Sequence, residues 1–149
     1  MLTFSENSDG ACDTGSDLKV IASEFPELDF SNVDPVYPNK ADGTLYEFSR
    51  SGILGRGHKA LRELYDRPEK VIAVVSHSAF LRTAICQKRF ANADYRIFTF
   101  RRDNTKGELK LIEDAATAQK GGGMKRSEEV FTAIEEWDFP PENVDGVES

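Results

Sequence analysis

His77 ends an unbroken apolar run, Val71-Ile72-Ala73-Val74-Val75-Ser76, and is followed by Ser78-Ala79-Phe80-Leu81-Arg82, a small-residue turn that passes into a helical pattern. Residue types in that order read as a buried strand delivering a histidine to the end of a parallel sheet. Ligands of open α/β sheets bind outside the carboxyl ends of the strands, and the N–H groups that open the next helix favour an anion there. An imidazole at that place has the chemistry to handle a phosphate.

Other arrangements fail on spacing. Gly52-Ile53-Leu54-Gly55-Arg56-Gly57-His58-Lys59-Ala60 comes close to a phosphate-binding loop, but Lys59 is displaced, no Ser or Thr follows to hold magnesium, and no strand leads into it. It reads as an ordinary helix start, with His58 partly buried on the face of Leu54, Leu61 and Tyr65. Ser76-His77-Ser78-Ala79-Phe80 resembles the strand-to-helix elbow of serine hydrolases with both glycines replaced. That chemistry needs a histidine base downstream of the serine, and the chain's two histidines are His58 and His77. Two histidines separated by a helix and a strand, with no ordered carboxylate cluster, also make no metal site. The sequence implies neither metal nor cofactor.

The elements that must position His77 follow from periodicity. Ser16 as a cap before Leu18, Ile21, Ala22 and Phe25 predicts a helix ended by Pro26. Residues 29–51, rich in Asn, Asp, Pro and Gly, read as a long loop or lid, and long loops in compact domains are often functional. Leu54, Leu61, Leu64 and Tyr65 mark a helix closed at Arg67-Pro68. The strand at 71–76, a helix through Phe80, Leu81, Ala84 and Ile85, and a strand at 95–100 follow, with Phe98 and Phe100 assigned to the core. Residues 108–112 suggest an edge strand. Gly121-Gly122-Gly123 suggests a flexible break before a helix carrying Val130, Phe131, Ile134 and Trp137. The alternation of strand, helix and loop favours α/β: a mostly parallel sheet flanked by helices.

Composition narrows the class of function. At 149 residues the chain can form one domain, here residues 1–139, followed by an acidic tail at 140–149 that reads as disordered. A formal charge of -7 opposes general affinity for nucleic acid or an anionic membrane, so an anionic ligand needs a local basic pocket. Cys12 and Cys86 lack disulfide-framework spacing, and the first residues lack a signal-peptide pattern. The chain therefore reads as cytoplasmic, with no membrane partner and with its oligomeric state unspecified.

Two segments resemble the histidine phosphatase superfamily, the phosphoglycerate mutase-like fold, and its fungal branch in particular. Glu6-Asn7-Ser8-Asp9-Gly10-Ala11-Cys12-Asp13-Thr14-Gly15-Ser16 is similar to the family's acidic segment. Val74-Val75-Ser76-His77-Ser78-Ala79-Phe80-Leu81-Arg82, with Asn92-Ala93-Asp94-Tyr95-Arg96 downstream, is similar to its second-histidine motif. The resemblance implies that His77 contacts the transferring phosphoryl group, that Glu6 protonates the leaving oxygen, and that Ser78 beside His77 belongs to the phosphate-binding turn. A protonated imidazole can stabilise the charge that spreads over the equatorial oxygens in flight. A carboxylic acid beside it can protonate the departing alkoxide. The implied partner is a phosphorylated small molecule, and the implied activity is phosphomonoester hydrolysis through a phosphohistidine, with phosphoryl transfer between positions of a sugar acid as the alternative.

The chain also departs from that pattern. The family's nucleophile lies in an Arg-His-Gly motif on a first strand, and a further phosphate-binding arginine lies between that strand and the acidic segment. Neither is present; Arg56-Gly57-His58 has the letters in another order, and Ser78 stands where the family usually has glycine. The expectation is a C-terminal portion of such a domain lacking its first strand. It would be either a pseudoenzyme that binds phosphate ligands or a protein, or the product of a truncated gene.

Overall fold

The computed structural model describes residues 4–102, 109–124, 134 and 136–141. The first helix, α1 (Leu18–Glu24), is capped by Asp17 rather than Ser16: the Asp17 side chain accepts the Lys19 N–H at 2.7 Å. The second, α2 (Arg50–Tyr65), begins a turn earlier than Leu54, because Ser49 accepts the Gly52 N–H at 3.0 Å and caps it. Its buried stripe is Ile53, Arg56, Gly57 and Ala60, the i, i+3, i+4, i+7 spacing of one helix face. His58 lies off that stripe and is exposed, which corrects the partial burial expected for it.

The largest difference from expectation is at residues 71–76. They belong to no strand, and residues 71–75 are exposed, Val71 and Val75 by 90% and 93%. Among the described residues the sheet is instead a two-stranded antiparallel pair, β1 (Phe98–Arg102) with β2 (Leu109–Glu113), in the register Phe98 to Glu113 and Phe100 to Leu111. No parallel sheet is present among these residues, which mix helices with one small sheet. A β-branched run has strand propensity, but a strand exists only where another backbone accepts its ladder bonds.

After His77 the chain turns helical as α3 (Ser78–Phe80) and widens into a π-helical turn, Leu81–Cys86. Gly57 permits α2 to cross this turn closely: a Cβ there would lie 2.4 Å from the Ala84 carbonyl oxygen. The core gathers at this crossing, where Phe4, Ile53, Ala60, Phe80 and Phe139 are buried together. Phe98 and Phe100 are half-buried, not core; Phe100 packs edge-on against Tyr65, with centroids 5.6 Å apart.

The pairing of 95–100 starts late because its first half is used otherwise. Arg96 is buried and donates to Glu113 at 2.7 Å and to the Thr117 carbonyl at 2.8 Å, and the Ile97 N–H goes to the Thr117 hydroxyl at 3.0 Å, tying the hairpin to α4 (Ala115–Ala118). Gly121 to Gly123 is not a free break. Gly122 N–H donates to the Tyr95 carbonyl at 3.0 Å and Gly123 N–H to the Asp94 carboxylate at 2.9 Å. Val130 and Phe131 of the expected last helix lie outside the described residues, as do 142–149 of the acidic tail; a 3-10 turn, Glu136–Asp138, precedes Phe139. Among the described residues no helix is long and apolar enough to cross a membrane.

Candidate functional site

His77 stands where extended backbone meets α3, and its side chain is 56% exposed. Its Nδ1 lies 3.4 Å from the Glu6 carboxylate, which is only 16% exposed. The chain's two motifs are thereby brought together, with the acid sheltered and the imidazole open. Ser76 fixes the approach by donating its hydroxyl to the Phe4 carbonyl at 2.6 Å.

Glu6 is held both at its carboxylate and at its peptide carbonyl. Its carboxylate accepts the Asn7 N–H at 2.8 Å, and the buried Asn7 side chain donates to Thr83 at 3.0 Å, anchoring the segment on the π-helical turn. Beneath it lies Arg56, 1% exposed, which donates to Asn7 Oδ1 at 3.1 Å and to the Ser5 and Glu6 carbonyls at 3.4 Å. The guanidinium also sits over Phe80, 4.6 Å from the ring centroid. Burial pushes Arg56 down to about 10, still fully cationic at neutral pH, while Tyr46 and Glu6 oppose the shift.

The segment at 29–51 supplies the other wall. Lys40 reaches across and donates to the Glu6 carbonyl at 2.9 Å, the Asp13 carbonyl at 2.9 Å and the Ser8 carbonyl. Desolvation, with Arg56 nearby, lowers its pKa from the ordinary lysine value. Tyr37 packs so closely on Gly15 that a Cβ there would meet the phenol oxygen at 1.5 Å, and Tyr37 meets Tyr46 edge-on at 5.7 Å. Burial pushes the Tyr46 hydroxyl up to about 12, so it stays protonated.

Between segment 4–15, the loop carrying Tyr37, Lys40 and Tyr46, and His77 lies a half-open cavity of about 270 Å³. Phe4, Val75, Tyr37 and Pro38 give it apolar surface; Glu6, Asp13, Thr14, Lys40 and His77 give it polar atoms, and the exposed thiol of Cys12 also lines it. Ser78 does not line it. Its hydroxyl accepts the Phe90 N–H at 3.2 Å, and so serves the turn after the π-helical segment. Among the described residues no three His, Cys, Asp or Glu side chains come together as a metal site.

The periodic readings missed Arg56, Lys40 and Tyr46. Arg56 carried a readable signal, since it lies three residues after Ile53 and four before Ala60 and so shares their buried stripe. Lys40 and Tyr46 sit in a stretch without periodicity. No protein-family model, curated protein or solved structure matches the chain.

Proposed function

We propose that this cavity is an oxyanion site of the histidine phosphatase type, in the phosphoglycerate mutase-like manner, that binds a phosphorylated small molecule. The observation that carries the reading is the pairing of His77 with the sheltered Glu6 carboxylate at 3.4 Å on the wall of one cavity. With Nδ1 on Glu6, Nε2 is the ring atom left for a phosphoryl oxygen. A protonated His77 supplies the positive charge that a phosphoryl group in transfer requires, and Glu6, once protonated, supplies the proton for a leaving oxygen.

Neither role makes the covalent bond. The second histidine, His58, is exposed on α2 and does not line the cavity. Loss of a covalent nucleophile costs on the order of 10⁴ to 10⁶ in rate. The reading for this chain is therefore binding with little hydrolysis. The parallel sheet of the phosphoglycerate mutase-like fold belongs to this proposal as well, with residues 71–76 as the strand that such a sheet would pair.

Phosphate or vanadate titrated while the His77 ring resonances are followed tests it directly. Because Glu6 and Asp13 also line the cavity, binding is expected to be weak, in the millimolar range that about 4 kcal/mol supplies. An unmoved His77 signal at saturating anion refutes the reading. Turnover of an aryl phosphate at an ordinary enzymatic rate, lost in His77→Ala, refutes the non-catalytic part and makes His58 the first nucleophile to test.

A further inference from the structure

We propose that Lys40 is a positioning residue for the candidate acid: its ammonium sets the place of Glu6 opposite His77, by gathering three carbonyls rather than by supplying charge to a ligand. The role of Glu6 as acid rests on the functional reading above; the placement of Glu6 does not.

The geometry is that of a point donor. The carbonyls of Glu6, Ser8 and Asp13 converge on a single nitrogen brought from a loop far along the chain. An ammonium has three N–H donors on one atom, so one lysine saturates all three acceptors. A guanidinium spreads its donors over a rigid planar fork, as Arg56 does on Ser5, Glu6 and Asn7 with longer bonds of 3.1 to 3.4 Å, and fits a single point of convergence less well. The Glu6 carbonyl also accepts from Arg56 at 3.4 Å, so the Glu6 peptide is gripped by Lys40 from the loop and by Arg56 from α2. Segment 4–15 is otherwise irregular at Glu6, with no strand or helix to fix the direction of its side chain. Its hydrogen bonds with 10–14 are local turns: Asp13 and Thr14 N–H both donate to the Gly10 carbonyl, at 2.9 and 3.0 Å. Lys40 links that turn to the Glu6 peptide, and it does so from within the cavity wall.

With its three donors occupied by backbone, Lys40 has none free for a phosphoryl oxygen. Its loss should therefore be read at His77 even in the ligand-free protein. A lysine that only stabilises the loop would change the melting temperature and leave the His77 ring where it was.

The test compares His77 ring resonances at one pH, without ligand, in wild type, Lys40→Met, Lys40→Arg and Glu6→Gln, with folding checked by circular dichroism. The expected result is that Lys40→Met moves His77 to the position seen in Glu6→Gln, where the carboxylate beside it is gone, and that Lys40→Arg, which keeps the charge but not the three convergent donors, falls between. His77 at its wild-type position in folded Lys40→Met overturns the inference. If Lys40→Met does not fold, Lys40→Arg decides alone, and a wild-type His77 signal there overturns it. Phosphate added afterwards to wild type judges the oxyanion reading separately, because a silent His77 in that titration leaves the ligand-free comparison unaltered.

Discussion

Two kinds of chain meet at His77. On one side is the cavity, where segment 4–15, the loop at 29–47 and α2 are joined by bonds that each span dozens of residues: Arg56 to Asn7, Lys40 to Glu6, Asn7 to Thr83. On the other side are residues 71–75, the most β-branched run of the sequence, which extend with exposed side chains and no ladder partner among the described residues. The polar region is ordered because its buried donors and acceptors find partners across the chain, Arg56 Nε being the exception there, and a buried group left without one costs about 1 to 3 kcal/mol. The apolar run is burdened because its favourable energy depends on a neighbouring backbone and a covering layer, neither of which it contains. His77 is therefore placed by side-chain to backbone bonds, with a sheet contributing nothing among the described residues.

That contrast predicts a large asymmetry in mutational cost. Arg56→Met removes the donors that serve Ser5, Glu6 and Asn7 from a site that solvent does not reach. It should destabilise the chain by about 3 kcal/mol, since severed hydrogen bonds to charged groups and stranded buried acceptors add together. Val71→Ala, at a side chain 90% exposed, should stay within about 0.5 kcal/mol. Urea midpoints measure both. Equal losses would mean that residues 71–76 are packed against something in solution and that the two regions do not differ.

A second consequence concerns solubility. Val71, Ile72, Val74 and Val75 form a contiguous exposed apolar run with high β propensity, the pattern that binds hydrophobic dyes and self-associates. Val71→Lys places a charge within it, the device by which exposed edges are protected. Reduced dye fluorescence and a smaller associated fraction in sedimentation are expected, with the His77 resonances unmoved. A clean monomer without dye binding in wild type would show that the run is covered.

The same contrast explains what could be read from the sequence. Helix α2 was legible because its periodicity and its terminating Arg67-Pro68 are local, and only its start was missed, where Ser49 supplies the cap. Glu6 and His77 lie in two segments that the sequence singles out separately, and the chain places them 3.4 Å apart. Residues 71–76 have the local propensity of a strand. Pairing, however, is a property of two segments, and periodicity in one says nothing about the other. Lys40 was beyond reach for a related reason: its three acceptors are backbone carbonyls, which carry no side-chain signature, and they are brought to it by turns at Gly10 and in the loop. Ser78 is adjacent to His77 in sequence, but it does not line the cavity, and its hydroxyl oxygen accepts the Phe90 N–H.

The smallest effect expected separates the two thiols. Cys12 is exposed on the cavity wall, whereas Cys86 ends the π-helical turn and donates to the Leu81 carbonyl at 3.4 Å. Burial pushes the Cys86 thiol up to about 11 from an ordinary value of 9.0. Thiolate is the reactive form, so alkylation at pH 8 should mark Cys12 well before Cys86, and anion bound in the cavity should slow only the first. The shift also fixes the direction of a stability effect. Below pH 9 the thiol is protonated in both folded and unfolded chains and contributes no pH dependence. Between pH 9 and about 11 the unfolded chain releases this proton while the folded chain keeps it, so stability falls as pH rises through that window. Tyr46, raised to about 12 by burial, acts with the same sign from about pH 10, whereas Lys40 and Arg56, both lowered by burial, act with the opposite sign, so the raw stability curve mixes these groups. Subtracting the curve of Cys86→Ala isolates the thiol: the stability difference between wild type and variant should be flat up to pH 9 and decline towards pH 11. A difference that stays flat across the window would place Cys86 in contact with solvent and open the π-helical turn that supports Asn7.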